Sequence, residues 1–211
     1  MVTCPRRQDP AQCRVARWDA VKAEKHRVQM LNEHGLLPIY HGATIEAVHE
    51  AVRPDVEAYL RDFEHHRLEG RGLIITGGTG VGKSSILALV AMRALDLVGD
   101  FRFALAADVY RAVHRRDDTE RAAALELRDT SVFLFDEFGA PSSSDFIYGE
   151  LEALLEHRRG RRLPTCITSN QPLKHLAKQP QWARIADRLR ETSYPPGREL
   201  IIPGGSRRKN P

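Results

Sequence analysis

The sequence predicts an α/β fold in which a mostly parallel, five-stranded sheet is flanked by helices. Short, continuous apolar runs such as Leu73-Ile74-Ile75 and Val132-Phe133-Leu134-Phe135 have the character of strands buried on both faces. Between them lie longer stretches whose apolar residues recur at helical spacing, so strands and helices alternate and the crossovers are right-handed. The third observation is a glycine-rich turn, Gly77 to Gly82, that directly follows one apolar run and opens a helix.

Residues 1–35 read as a polar, basic arm. Val15, Trp18, Val21, Val28 and Leu31 form a loose helical stripe among Arg14, Arg17, Lys22, Lys25 and Arg27, closed by Gly35. Such a helix has little core of its own to join and suits either client docking or disorder. Cys4, Cys13, His26 and His34 form a candidate zinc set, although the spacing of the two cysteines exceeds the two to four residues usual in zinc sites.

Residues 36–203 read as one globular domain. Leu36 to Tyr40 is an extended lead-in, and Pro54 fits the first turn of a helix carrying Val56, Tyr59, Leu60 and Phe63 on one face. Ile86 to Leu97, apolar nearly all round, is a helix packed on the sheet. Phe101 to Leu105 alternates like a strand, Asp108 to Arg116 turns helical, and Asp117 to Arg128 is a polar stretch without an assigned element. After the strand Val132 to Phe135, Ile147, Leu151, Leu154 and Leu155 mark an amphipathic helix. Pro164 to Thr168 is a strand, Trp182 to Arg190 a helix and Glu199 to Ile202 the last strand, with 204–211 a disordered tail. No helical lid is expected after the last strand.

Composition narrows the function classes. The chain has 211 residues and a net charge of +4, with 32 basic against 28 acidic residues, a mixed surface that permits a nucleic-acid partner without demanding one. Three cysteines cannot build a disulfide framework, and the amino terminus lacks the apolar stretch of a signal peptide. No apolar run approaches the ~20 residues that span a bilayer, so no membrane role is expected and a cytoplasmic location is.

The chemistry starts at Gly77-Gly78-Thr79-Gly80-Val81-Gly82-Lys83-Ser84, which fits the phosphate-loop pattern G-x-x-x-x-G-K-[ST] and is followed by Ser85. Glycines allow the backbone to wrap a phosphate with its N–H groups inward, and the positive end of the next helix adds attraction. Lys83 is expected to reach the β- and γ-phosphates of ATP and the Ser84 hydroxyl to ligate Mg²⁺. In parallel sheets ligands gather at the carboxyl ends of strands, which directs attention to Asp136 and Glu137. Asp136 is the expected magnesium holder, and Glu137 the group that orients or deprotonates the attacking water. Thr168-Ser169-Asn170 ends the next strand, and Asn170 is expected to hydrogen-bond the γ-phosphate or the water. Arg184 and Arg188, four residues apart, share one face of a helix and suit a guanidinium aimed at a neighbouring subunit's γ-phosphate.

The order and spacing of these segments over residues 36–203 resemble the AAA+ ATPases of the bacterial helicase-loader (DnaC-like) and transposition-helper (IstB-like) group. The resemblance includes Leu37-Pro38-Ile39-Tyr40 with Ala43-Thr44, the phosphate loop, Ala107-Asp108, Phe135-Asp136-Glu137-Phe138-Gly139 as Walker B, Thr168 to Pro172 as sensor 1, and Arg184 through Arg188. It implies a P-loop NTPase with an AAA+ core that hydrolyses ATP, grips single-stranded or double-stranded DNA, assembles with itself on client or DNA, and acts on a replicative helicase or a transposase. It also implies an arginine acting in trans, favouring Arg188 with Arg184 beside it. The short arm places the helicase loader first and the transposition helper second. Two basic clusters, Arg111-His114-Arg115-Arg116 and Arg158 to Arg162, are candidate DNA contacts, and no interleaved aromatics mark a stacking platform. From other classes, a small-molecule P-loop kinase shares the loop and the length, and an ATP-holding switch shares the loop. The first needs an arginine-rich lid and has no use for Asp136-Glu137 followed by Asn170; Glu137 speaks against the second.

Overall fold

The computed structural model describes residues 10–114, 117–139 and 145–206, with side chains from Asp19 onward apart from that of Asp145. The sheet is built on β1 (Gly72–Gly77), β2 (Arg102–Leu105), β3 (Phe133–Asp136) and β4 (Thr165–Ser169), parallel and in the order β2-β3-β4-β1. The fifth position is shared by two short segments. β5 (Ser193–Tyr194) pairs with the start of β1, and β6 (Leu200–Ile202) with its end. The five expected strands are present, and the edge one has a forerunner that a two-residue segment leaves unreadable from pattern alone.

Helices cover both faces. α1 (Pro10–Glu33), α2 (Arg53–Arg61), α3 (Phe63–Leu68) and α4 (Lys83–Leu97) lie before β2 in the chain. α5 (Ala106–His114), α6 (Asp118–Asp129), α7 (Asp145–Gly160), α8 (Leu173–Leu176) and α9 (Pro180–Glu191) follow. Alternate strand residues feed two cores: Leu73, Ile75, Leu134 and Cys166 join α2, α3 and α4, while Ile74, Phe133, Phe135 and Ile167 join α5, α7 and α9. Burial on both faces explains why these strands read as unbroken apolar runs.

Three expectations change. Pro38–Tyr40 is a 3₁₀ turn rather than extended chain, with Tyr40 N–H donating to Leu37 O at 2.9 Å. The helix from Pro54 breaks at Asp62 into α2 and α3. The polar stretch from Asp117 to Arg128, to which the sequence assigns no element, is α6, whose first turn is capped by Asp117 accepting from Glu120 N–H at 2.9 Å. Asp117 with Glu120 three residues on is a capping signature, the signal that marks this helix against its weak alanine-rich face.

The arm's carboxyl end is packed into the domain. Leu36 N–H donates to Leu31 O and Gly35 N–H to Asn32 O, a Schellman closure with Gly35 at φ +88°, and both leucines enter the first core. Phe103 N–H donates to His34 O at 2.9 Å, and a Cβ on Gly35 would stand 2.3 Å from Phe103 O. The turn after α1 thereby covers the free edge of β2.

Arg158 overturns one expectation outright. It is fully buried and makes no DNA contact surface: Nε donates to Thr165 Oγ1 (3.0 Å), one terminal nitrogen to Leu127 O (2.9 Å) and Thr130 O (2.8 Å), the other to Pro164 O (2.8 Å). The guanidinium closes the carbonyl end of α6 and ties it to the start of β4, a place where a cation is favoured. Burial lowers its pKa to about 9, which leaves it charged at pH 7. Arg159 is engaged by Glu156 and Glu191, so Arg161 and Arg162 alone of this cluster are exposed. Arg158→Ala is expected to destabilise the fold by at least ~2 kcal/mol, since several buried carbonyls lose their donor, and Arg158→Lys to restore little because an ammonium cannot span the fork. Urea unfolding followed by circular dichroism measures both.

Candidate nucleotide-binding site

The phosphate loop leaves β1 at Gly77 and ends where α4 begins. Gly80 (φ +77°) and Gly82 (φ +99°, the N-cap of α4) take left-handed conformations that side chains resist. A Cβ on Gly80 would also lie 2.3 Å from Ser206 Oγ, because the segment after β6 passes over the loop. Lys83 is 8% exposed, and its ammonium donates to Gly77 O (2.9 Å), Gly78 O (2.7 Å) and Asn170 Oδ1 (2.8 Å). The phosphate-loop lysine and the strand-tip asparagine, 87 residues apart in sequence, are thus directly bonded.

Beside them opens a pocket of about 360 Å³ lined by Gly80, Val81, Gly82, Lys83, Ser84 and Ser85 from the loop and α4, and by Tyr40 and Ala47 from the preceding segment. Gly78 and Thr79 form the exposed outer limb of the loop. Tyr40 and Ala47 have no local signal as pocket residues; only folding brings them to a loop some forty positions away in the chain.

Asp136 ends β3, 2% exposed, and accepts a short hydrogen bond from the Thr168 hydroxyl. Glu137, next to it, is exposed and held at φ +62°. Its N–H donates to Thr168 Oγ1 (3.0 Å), and Phe138 N–H donates to Thr168 O (2.7 Å). Asn170 is presented from a turn in which Gln171 N–H donates to Ser169 Oγ (3.2 Å).

A carboxylate and a hydroxyl, Asp136 and Ser84, offer the hard oxygen donors that Mg²⁺ prefers and would hold it together with phosphate and water oxygens. Among the described residues no group of three or more His, Cys, Asp or Glu side chains gathers to hold a metal unaided. Cys4 and the side chain of Cys13 lie outside the described residues, as do Arg115 and Arg116.

Arg184 and Arg188 lie on α9 against α7, apart from this group. Arg184 is 80% exposed at its side chain and 3.8 Å from Glu152. Arg188 is held by its own chain: Nε stands 2.9 Å from Glu156 Oε2, with the N–H turned off the line of a hydrogen bond, and a terminal nitrogen reaches Glu191 (3.4 Å). On α5, Arg111 pairs with Asp108, and the His114 ring lies 5.9 Å from the ring of Phe146, itself 54% exposed on α7.

No protein-family model and no curated protein sequence matches the chain. Solved structures do. DnaI superposes with a TM-score of 0.67 at 22% identity, covering 80% of this chain and 95% of its own. The DnaC helicase loader superposes at 0.61 and 20% identity, covering 79% of this chain and 100% of its own. The replication initiator DnaA, bound to AMPPCP and single-stranded DNA, superposes at 0.64 and 18% identity, covering 80% of this chain and 51% of its own. Among the described residues no helix is long and apolar enough to cross a membrane. The fold of this chain is therefore the AAA+ P-loop fold that DnaC, DnaI and DnaA share.

Proposed function

We propose that this chain binds and hydrolyses Mg·ATP and acts on DNA as a loader of a ring-shaped replicative helicase. The observation that carries the nucleotide half is the bond from Lys83 to Asn170, beside Asp136 and Glu137: a phosphate loop, a magnesium carboxylate, a candidate base and a polar strand tip converge at the carboxyl ends of β1, β3 and β4. Lys83 supplies a positive charge to the β- and γ-phosphates, while the pocket floored by Gly80 to Ser85 takes the rest of the nucleotide, with Tyr40 and Ala47 at its far side. Ser84 and Asp136 would hold Mg²⁺, which would neutralise charge developing on the phosphate oxygens. Glu137, exposed just past the end of β3, would take a proton from the attacking water, and Asn170 would fix its approach. The same convergence disfavours a small-molecule kinase, which requires no such carboxylate pair. The loader half rests on the likeness to DnaI and to the DnaC helicase loader.

Two substitutions separate binding from chemistry. Lys83→Ala is expected to abolish tight binding of a fluorescent ATP analogue in a folded protein, while Glu137→Gln binds normally and hydrolyses at least ~10²-fold more slowly in single turnover.

Hydrolysis is expected to need assembly, because Arg184 and Arg188 of α9 pair with Glu152 and Glu156 of α7 rather than with the phosphate loop. Arg184 stands ready for a neighbour, whereas Arg188 must first leave Glu156 and Glu191. Mixing Arg188→Ala with Lys83→Ala protein under assembling conditions should restore ATPase activity that neither has alone; full activity in Arg188→Ala alone would shift the role to Arg184, tested by the same mixing.

DNA contact is expected at the α5 end, where folding sets Phe146 beside His114, three residues on from Arg111. Phe146→Ala should weaken ATP-dependent single-stranded DNA binding ~10-fold, as loss of one stacked base implies, and affinity should fall with salt at a slope of about −0.7 per phosphate contact. Fluorescence anisotropy with a labelled oligonucleotide measures both.

A further inference from the structure

The catalytic-looking pair Asp136-Glu137 does not hold its own geometry. Both of its polar anchors come from one side chain on another strand, Thr168, which is 0% exposed. A threonine hydroxyl has one proton to give and lone pairs to accept with. Here the proton goes to Asp136 Oδ1 and a lone pair takes the Glu137 N–H at 3.0 Å. The backbone carbonyl of the same residue takes the next N–H, that of Phe138, at 2.7 Å. Three consecutive residues, 136 to 138, are thereby referenced to a single point on β4.

The arrangement is needed because the turn it holds is unfavourable. Glu137 sits at φ +62°, a conformation that costs a non-glycine residue on the order of 1 kcal/mol and persists only where neighbours enforce it. From the outer side the turn is pinned by Phe138, packed edge-on against Phe135 and Trp182 at 5.3 and 5.0 Å. From the inner side the pin is Thr168. Register places it there: β3 pairs Phe135 with Ile167, and β1 pairs Ile75 with Thr168, so the hydroxyl faces the point where β3 gives way to the turn. Two residues further on, Asn170 bonds Lys83.

We infer that Thr168 is the positioning residue of the hydrolytic site: its hydroxyl aims the Asp136 carboxylate at magnesium and locks Glu137 in the left-handed conformation that points its carboxylate at the water. The inference rests on the proposed Mg·ATP reading of the site. A hydrogen-bond partner behind a metal-binding group is worth about 10- to 100-fold in metal affinity or activity, which sets the scale of the effect.

The test uses the full chain as wild type, Thr168→Ser, Thr168→Val and Thr168→Ala. Affinity for a fluorescent ATP analogue is titrated in EDTA and again in Mg²⁺, and the Mg²⁺ concentration giving half-maximal hydrolysis is measured. In EDTA all four should bind within about two-fold of one another, which also reports that the phosphate loop is folded, since Lys83 and not Thr168 meets the phosphates. Magnesium should tighten binding in wild type and Thr168→Ser, while in Thr168→Val and Thr168→Ala that gain shrinks, the half-maximal Mg²⁺ rises about ten-fold or more and turnover at saturating Mg²⁺ falls up to ~10²-fold. Thr168→Ala covers the case in which the valine variant fails to fold. A valine or alanine variant with wild-type magnesium gain and wild-type turnover overturns the positioning role and leaves the ATPase reading intact. A wild type whose affinity ignores Mg²⁺ overturns the magnesium assignment, and the role of Thr168 falls with it.

Discussion

The parallel pairing of β1 with β4 is the constraint on which the rest depends. Its register, Ile74 with Ile167, Ile75 with Thr168 and Thr76 with Ser169, sets the origin of the phosphate loop beside the tip of β4. From there Lys83 meets Asn170, and through the adjoining β3–β4 pairing Asp136 meets Thr168. A slip of one residue would turn every side chain to the opposite face, sending the large apolar residues of one core into the other and separating the polar tips. The two-sided burial that makes these strands monotonous in sequence is therefore also what holds the site in register.

Polar groups buried near the sheet share that task. Arg158 joins the end of α6 to the first residues of β4 through carbonyls that would otherwise lack donors, and stacks its guanidinium 5.4 Å above the ring of Phe133. Thr168 does the equivalent at the opposite end of the same strand. β4 is thus fastened at its start by a cation and at its tip by a hydroxyl. Breaking either leaves groups unpaired in a place that water does not readily reach, which costs more than the lost bond alone.

The arm is joined to this core rather than merely tethered. Leu31 and Leu36 are buried with α4, Arg27 pairs with Asp96 near the end of that helix, and the turn at Gly35 seals the edge of β2. Since α4 begins at Lys83, a single rigid helix runs between the phosphate loop and the neighbourhood of the arm. Any partner seated on α1 would lie at the far end of the helix whose start meets the nucleotide.

The sequence by itself determined the alternation of strands and helices, the phosphate loop, the two acidic residues at the end of β3 and the polar tip of β4, because each is written in a few adjacent residues with a local physical cause. It left α6 unassigned, although the Asp117-x-x-Glu120 cap is legible, because alanines give a weak apolar stripe. Tertiary structure alone decided the rest. Tyr40 and Ala47 become pocket walls, Arg158 a buried tie instead of a DNA contact, and Phe146 a companion to His114, through contacts between positions distant in the chain. An arginine beside other arginines looks like a surface cluster until packing decides which of them faces inward. The role of Thr168 is of the same kind: a threonine at the end of a strand is unremarkable until the neighbouring strand brings it an aspartate and a strained turn to hold.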